Sequence, residues 1–383
     1  MTSSRKPIWS DEPRLTIVAD DLTGACDAAV PFAERGLRTI VVLGELTPDA
    51  VGAQVIALST ETRDIAPETL PEQLIQHLKP LTEHRSCGIL FKKIDSALRG
   101  NTSAEIAILA HMLSPRILAV APAFPALGRR MRNGVQRIGD GTAQHSVDVN
   151  EALRRAGVET QRFDVGISWA ELGAGAIAAA KAGRRVLLFD AETQDDLEAV
   201  VGALSPMENE VLWVGSGGLA HALAGVLPEP VSPDVKTRRT GKAIFVIGSD
   251  HPVTQLQLEE LRADHEVAEC GSADCCPSAK VVVCRVGRGA ALKETAAFFS
   301  HMDPARIGCI LVTGGDTAMH LCRALEVGAI ELQREFARGV PAGIIRGGAM
   351  DGVSILTKSG GFGDRDLLSR VAAEYSKEAG VAR

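Results

Sequence analysis

Two adjacent carboxylates, Asp20 and Asp21, follow a short apolar run, Leu15 to Ala19, and precede Thr23-Gly24. The run reads as a buried parallel strand. Beyond the acids, Ala25, Ala28, Ala29, Phe32 and Ala33 recur at three- and four-residue spacing, the pattern of a helix. In an open α/β sheet, ligands sit at the carboxyl ends of strands, where the chain turns into a helix. A pair of acids there suits gripping hydroxyls, holding a cation or taking a proton from an alcohol. The plainer alternative is a helix N-cap, which uses one side chain and not two.

Three further clusters follow strand-like runs in the first half. They are Ser59-Thr60-Glu61-Thr62-Arg63, the stretch from Lys92 and Lys93 through Asp95, Ser96 and Arg99 to Asn101, and the stretch from Ala121 to Arg129. Together with Asp20 and Asp21 they bring acids, hydroxyls and cations to one edge of one sheet. A small polyhydroxy acid needs such a set, since Arg matches a carboxylate with a planar fork and Asp and Ser serve hydroxyls. Each charge taken alone reads as a solvated loop residue or a local ion pair.

The second half has glycine-rich strand-to-helix turns instead. Gly248-Ser249 closes one run, with Pro252 suited to the first turn of the next helix. Gly314-Gly315-Asp316-Thr317 closes another, and Lys358-Ser359-Gly360-Gly361 a third. Glycines let the backbone approach phosphate oxygens, and free N–H groups at a helix start bind anions. Lys358 adds a point charge for a terminal phosphate. No Walker A loop and no GxGxxG fingerprint is present, so three such turns favour a nucleotide phosphate site of another kind.

Positioning these groups takes a large framework. The chain has 383 residues, too many for one typical core, so two domains are expected. Strand candidates are 15–19, 39–43, 55–58, 88–92, 117–121, 186–190 and 211–214, with helical patterns at 103–112, 170–182 and 195–204 between them. The proline- and charge-rich segment 228–241 reads as a linker between residues 1–227 and 242–383. Beyond it, strand candidates 242–247, 281–285, 307–313, 342–346 and 353–357 alternate with helices 252–262, 290–301 and 316–325, and the tail after Arg365 reads as a last helix. The fold class expected is α/β with two domains, each a mainly parallel sheet flanked by helices, and an active-site cleft between them.

The net charge is −7, which gives no overall bias toward nucleic acid. The first residues lack the apolar core of a secretory signal, and no apolar run approaches the ~20 residues of a membrane span. The expected location is the cytoplasm, with the scattered cysteines reduced and mostly buried. Cys270, Cys275, Cys276 and Cys284 with His265 match no standard zinc spacing, so no metal is assigned to protein ligands alone. Ser216-Gly217-Gly218 reads either as part of the cleft floor or as a helix cap.

Taken in order, these stretches resemble the four-carbon acid sugar kinase family. The resemblance rests on ADDLTGACD (19–27), TETR (60–63), KKIDSALRGN (92–101) and APAFPALGR (121–129). It continues in GSGGLAHAL (215–223), IGSDHPVTQLQ (247–257), VTGGDTA (312–318) and LTKSGGFGDRDLL (356–368). It implies a sugar-acid-binding N-terminal domain, a nucleotide-binding C-terminal domain and ATP-dependent phosphorylation of threonate, erythronate or 3-oxo-tetronate. By that analogy Asp20, Asp21, Arg63, Lys93, Asp95, Ser96 and Arg99 hold the acid. Ser249, Gly314, Gly315, Asp316, Thr317, Lys358, Gly360 and Gly361 hold ATP with Mg²⁺. The acceptor hydroxyl would give its proton to Asp21, with Asp95 second and Asp20 also open. After Arg129 the chain departs from the family, lacking the Pro-Leu and Glu-Thr tract that most members carry near the substrate cluster. A homodimer is left open. Two rivals stand beside the kinase: a binding or effector protein without turnover, and a nicotinamide-dependent dehydrogenase, which the missing GxGxxG disfavours.

Overall fold

The computed structural model describes residues 14–43, 50, 52–83, 88–139, 145–227, 240–270, 278–286, 297–299 and 302–376. In chain order the first elements are β1 (Leu15–Ala19), α1 (Leu22–Glu34), β2 (Thr39–Val42), β3 (Val55–Ser59), α2 (Leu70–Glu83), β4 (Ile89–Lys93), α3 (Thr102–Leu113) and β5 (Ile117–Ala121). Next come β6 (Arg129–Arg132), β7 (Val135–Ile138), β8 (His145–Asp148), α4 (Val149–Arg155), β9 (Gln161–Phe163), α5 (Trp169–Lys181), β10 (Val186–Phe189), α6 (Gln194–Leu204), β11 (Val211–Gly215) and α7 (Gly217–Gly225). The remainder is β12 (Lys242–Ile247), α8 (Pro252–Asp264), β13 (Val267–Cys270), β14 (Val281–Arg285), β15 (Ile307–Thr313), α9 (Gly315–Ala324), β16 (Ala329–Ala337), β17 (Val340–Arg346), β18 (Ser354–Lys358) and α10 (Leu367–Tyr375).

These elements form two compact units, and the chain passes between them more than once. The first unit takes the described residues up to Asp20 and those between Gly52 and Glu229; the second takes those from Asp21 to Val51 and those from Pro230 onward. The expected single cut at 228–241 therefore does not follow these compact units at residues 21–51. The physical reason is long-range pairing: β2 runs antiparallel to β16, with Thr39 opposite Leu332 and Val42 opposite Ala329. Residues 228–239 of the expected linker lie outside the described residues, as do Cys87, Cys275, Cys276 and most of the helix expected at 290–301.

In the first unit seven parallel strands follow the order β3-β1-β4-β11-β5-β10-β9. β1, β5, β10 and β11 are buried along their whole length, which explains their unbroken apolar sequences. Their register is what matters for function. Ala19 lies opposite both Ser59 and Lys93, and Gly215 lies opposite both Lys93 and Ala121. The residues that follow these five positions therefore leave the sheet along one edge. Ser216 caps α7 by accepting from the Gly218 N–H and donates to the Ala123 carbonyl, so it is a helix cap and not a floor residue.

A feature absent from the sequence reading is a small antiparallel sheet, β6-β7-β8. Its segments RRMR, VQRI and HSVD are short and polar, so no apolar alternation marks them. It begins at Arg129, the last residue of the APAFPALGR stretch.

The second unit holds a mixed sheet, ordered β13-β14-β12-β15-β18-β17-β16-β2. Its first five strands are parallel and the last three pair antiparallel. Ile247 lies opposite Thr313, and Thr313 opposite Lys358, so Gly248, Gly314 and Ser359 leave at one edge. Phe245, Leu311 and Leu356 from the sheet pack with Leu258 and Leu261 of α8 and Leu367 and Val371 of α10. Burial of each such side chain contributes roughly 1.5–3 kcal/mol. Helix α1 is buried from Leu22 to Ala33, and its small residues let it lie close to the sheet. No helix among the described residues is long and apolar enough to cross a membrane.

Candidate active site

The edge of the first unit carries an ordered network of charges. Arg63 grips Asp20 with a two-pronged fork, Nε to Oδ2 at 2.9 Å and Nη2 to Oδ1 at 2.9 Å. The same guanidinium stands 3.8 Å from Asp95. Arg99 grips Asp95 from its other side, at 2.9 and 2.7 Å. Asp95 also accepts from the backbone N–H groups of Ala97 and Arg99, which folds the loop after β4 around it. Lys92 is fully buried and paired with the equally buried Glu105 at 2.8 Å. Thr62 donates to Glu105 as well. Lys93 is buried and donates to the Ile94 carbonyl.

Three carboxylates, Asp20, Asp95 and Glu105, thus stand among four cations, Arg63, Lys92, Lys93 and Arg99. Arginine forks of this kind suit a small carboxylate anion. Burial alone would raise the Asp95 carboxyl, but the hydrogen bonds of Arg99 and the charges of Arg63 and Arg99 hold it well below the carboxylate range. Burial would likewise raise Asp20, and Arg63, Lys92 and Lys93 override it. Carboxylates held so firmly ionised are weak bases. The Asp95 carboxylate binds Arg99 at 2.7 and 2.9 Å and stands 3.8 Å from Arg63.

The loops here also carry backbone strain. Glu61 and Leu98 adopt φ of 51° and 57°, a region that costs a branched or bulky side chain free energy. Gly100, at φ 72°, sits where a Cβ would lie 2.4 Å from the Arg63 carbonyl oxygen. The turn holding Arg63 and the loop holding Asp95 are therefore pressed together.

By its contacts Asp21 falls in the second unit. It is the N-cap of α1: Oδ1 accepts from the Gly24 N–H at 2.8 Å and Oδ2 from the Thr23 hydroxyl at 2.6 Å. Its Oδ2 also lies against Gly315, where an added Cβ would approach to 2.4 Å. Gly315 opens α9, whose N-cap Gly314 has φ 95° and provides no side-chain cap. The first N–H groups of α9 therefore remain available for an anion, beside a carboxylate.

The other glycine turns close around the same strand ends. A Cβ at Gly248 would collide with the Thr317 hydroxyl, and one at Gly360 would lie 2.0 Å from Ser249 Oγ. His251 caps α8 and borders Gly361. Ser249, Gly248, Thr317, Gly360 and Gly361 are thus brought together as expected from sequence, whereas Asp316 is exposed and only its carbonyl is engaged, by His320. Lys358 is buried, with Nζ 3.3 Å from the Thr254 hydroxyl and 3.2 Å from the Gly360 carbonyl. Among the described residues no three His, Cys, Asp or Glu side chains are placed to hold a metal together.

Burial pushes the Lys358 ammonium down to about 7. Its proton is bound in the unfolded chain up to pH ~10.4 but lost in the fold above about 7, so Lys358 costs stability below that range and the cost fades as pH rises. A polyphosphate against it favours the charged form. Nucleotide binding at pH 8 is therefore expected to take up a proton, and affinity to fall between pH 7 and 9. Calorimetry in buffers of different ionisation enthalpy reads this directly, and Lys358→Met should abolish the uptake.

Sequence reasoning missed Glu105, Thr254, Gln257 and Gln136. Gln257 donates to the carbonyls of Phe362, Gly363 and Asp364 at 2.9–3.0 Å, and Thr254 to that of Gly360 at 2.8 Å. Their three-residue spacing on α8 places both on the face that holds the glycine loop, a signal that was available. Glu105 lies in a helix with no acidic neighbour, and only the fold shows its partner.

Comparison with known proteins also finds two parts, but with residues 21–51 in the first. Residues 15–223 match the model of a sugar-binding N-terminal domain, and residues 285–368 that of a nucleotide-binding C-terminal domain. The chain is 31% identical to a D-threonate kinase of Cupriavidus necator, over 92% of this chain and 95% of that one. It is 30% identical to a D-threonate kinase of Bordetella bronchiseptica, over 94% and 97%. A solved Haemophilus influenzae protein from a domain-of-unknown-function family shares the fold, with a TM-score of 0.72, 19% identity and coverage of 94% of this chain and 100% of that one.

Proposed function

Because the chain belongs to the four-carbon acid sugar kinase family, we propose that it transfers the terminal phosphoryl group of ATP to a hydroxyl of a four-carbon sugar acid, D-threonate first. The observation that carries this reading is the split of two consecutive residues. Asp20 ends in the acid–cation cluster of the first unit, and Asp21 ends beside the glycine turns of the second.

In this reading the cations of the first-unit cluster draw in the carboxylate of the acid. Arg99, whose side chain is 61% exposed, is the cation best able to reach it. Lys93 supports it, and Ser96 and Asp20 serve the hydroxyls. Arg63 acts by fixing Asp20 and Asp95 rather than by meeting the substrate alone. On the donor side the N–H groups of Gly315, Asp316 and Thr317 face the phosphates, with Lys358 as a charge that strengthens on contact. In this reading Asp21 takes the proton of the acceptor hydroxyl. Its carboxylate beside a helix start also fits Mg²⁺, which commonly takes one or two carboxylates together with phosphate oxygens. Mg²⁺ supplies charge neutralisation when bound.

The test is ADP release from ATP·Mg²⁺ in the presence of D-threonate, D-erythronate and 3-oxo-tetronate. Acid-dependent ADP release with one of them supports the reading. Stabilisation by the acid with no turnover would instead mark a binding protein, and no response to any of them would remove the assignment.

A further inference from the structure

The geometry points to Gln136 as a positioning residue of the acceptor site, placed there by the three-stranded sheet β6-β7-β8. Gln136 lies on β7 and is fully buried. Its amide nitrogen donates to the carbonyls of Ser96, at 3.3 Å, and Pro122, at 3.4 Å. These carbonyls belong to the loops that follow β4 and β5, the loops that carry the substrate cluster. The assignment of the amide is forced, because its oxygen turned toward two carbonyl oxygens would repel them.

The opposite atom is as informative. Gln136 Oε1 accepts no hydrogen bond among the described residues. An apolar side chain of the same size would bury no amide oxygen, but it would take this donor from the Ser96 and Pro122 carbonyls. The amide therefore adds two carbonyl contacts while leaving a buried acceptor unsatisfied, which fits a role in holding the loop rather than filling the core. A second contact from the same segment agrees. Val147 and Val149 share a cavity of about 30 Å³ with Ile94 and Leu98 of the loop. Leu98 is the loop residue held at φ 57°. Gln136 thus holds the loop at Ser96, and Val147 and Val149 line a cavity with its Leu98, on either side of Ala97, whose N–H Asp95 binds.

This inference rests on the kinase reading for its substrate. Gln136→Met keeps the size and apolar stem but removes the donor. The expected result is D-threonate affinity, by calorimetry, about tenfold weaker, with the KM for ATP within twofold of wild type. The backbone amides of Ala97 and Arg99 should exchange hydrogen faster, while those of β1 and β5 do not. An unchanged D-threonate affinity in a folded variant overturns the role. Equal losses for both substrates together with a lowered melting temperature also overturn it, since they mark general destabilisation. If wild-type protein neither binds nor phosphorylates any of the three acids, the kinase reading fails on its own. Hydrogen exchange then decides Gln136, and unchanged rates at Ala97 and Arg99 overturn it.

Discussion

Replacing Arg63 with alanine is expected to lower the unfolding free energy by about 3 kcal/mol at pH 7 and to abolish phosphorylation of the sugar acid. The guanidinium is the shared partner of Asp20 and Asp95, whose side chains are 2% and 7% exposed. Without it, Asp20 loses both prongs of its fork in a buried setting, and desolvation then favours the neutral acid. The sign with pH follows. In the wild type both carboxyls titrate below their unfolded values, so their contribution is present above pH ~3.9 and fades as pH falls through the folded values. In the variant Asp20 reverses, so the deficit is largest at neutral pH and shrinks toward pH 4. Arg63→Lys keeps a charge but cannot supply two parallel N–H groups, and should recover less than half of the loss. Urea titrations at pH 4.5 and pH 7 read this out. A deficit under 1 kcal/mol at both values would show that the network is decorative.

Asp21→Asn is expected to behave in the opposite way, leaving the fold nearly untouched while reducing kcat by about 10³-fold. An asparagine oxygen can still accept from the Gly24 N–H, so the cap on α1 survives. What is lost is the negative charge beside Gly315 at the start of α9. Steady-state kinetics and a thermal melt on the same preparation separate the two roles. A kcat within tenfold of wild type would show that Asp21 is a helix cap and nothing more.

Much of this site could be read in the sequence because it lies at strand ends. Unbroken apolar runs such as Leu15–Ala19 and Ile117–Ala121 mark parallel strands, and the polar residues after them must leave at one edge. Gly314, Gly360 and Lys358 were legible for the same reason. What escaped depends on contacts between distant segments. Nothing local tells Asp20 from Asp21, yet a ladder between β2 and β16 carries residues 21–51 into the second unit. The strands of β6-β7-β8 are four residues each and mostly polar, too short to show a period. The Lys92–Glu105 pair joins a strand to a helix, and neither sequence context hints at the other.

The central claim is tested most directly by ³¹P NMR of the wild-type protein with ATP, Mg²⁺ and D-threonate. The account predicts a new phosphomonoester resonance, split by the protons of the carbon that bears it, growing as ADP forms. Inorganic phosphate and ADP alone, or an ATP spectrum that does not change, would contradict it.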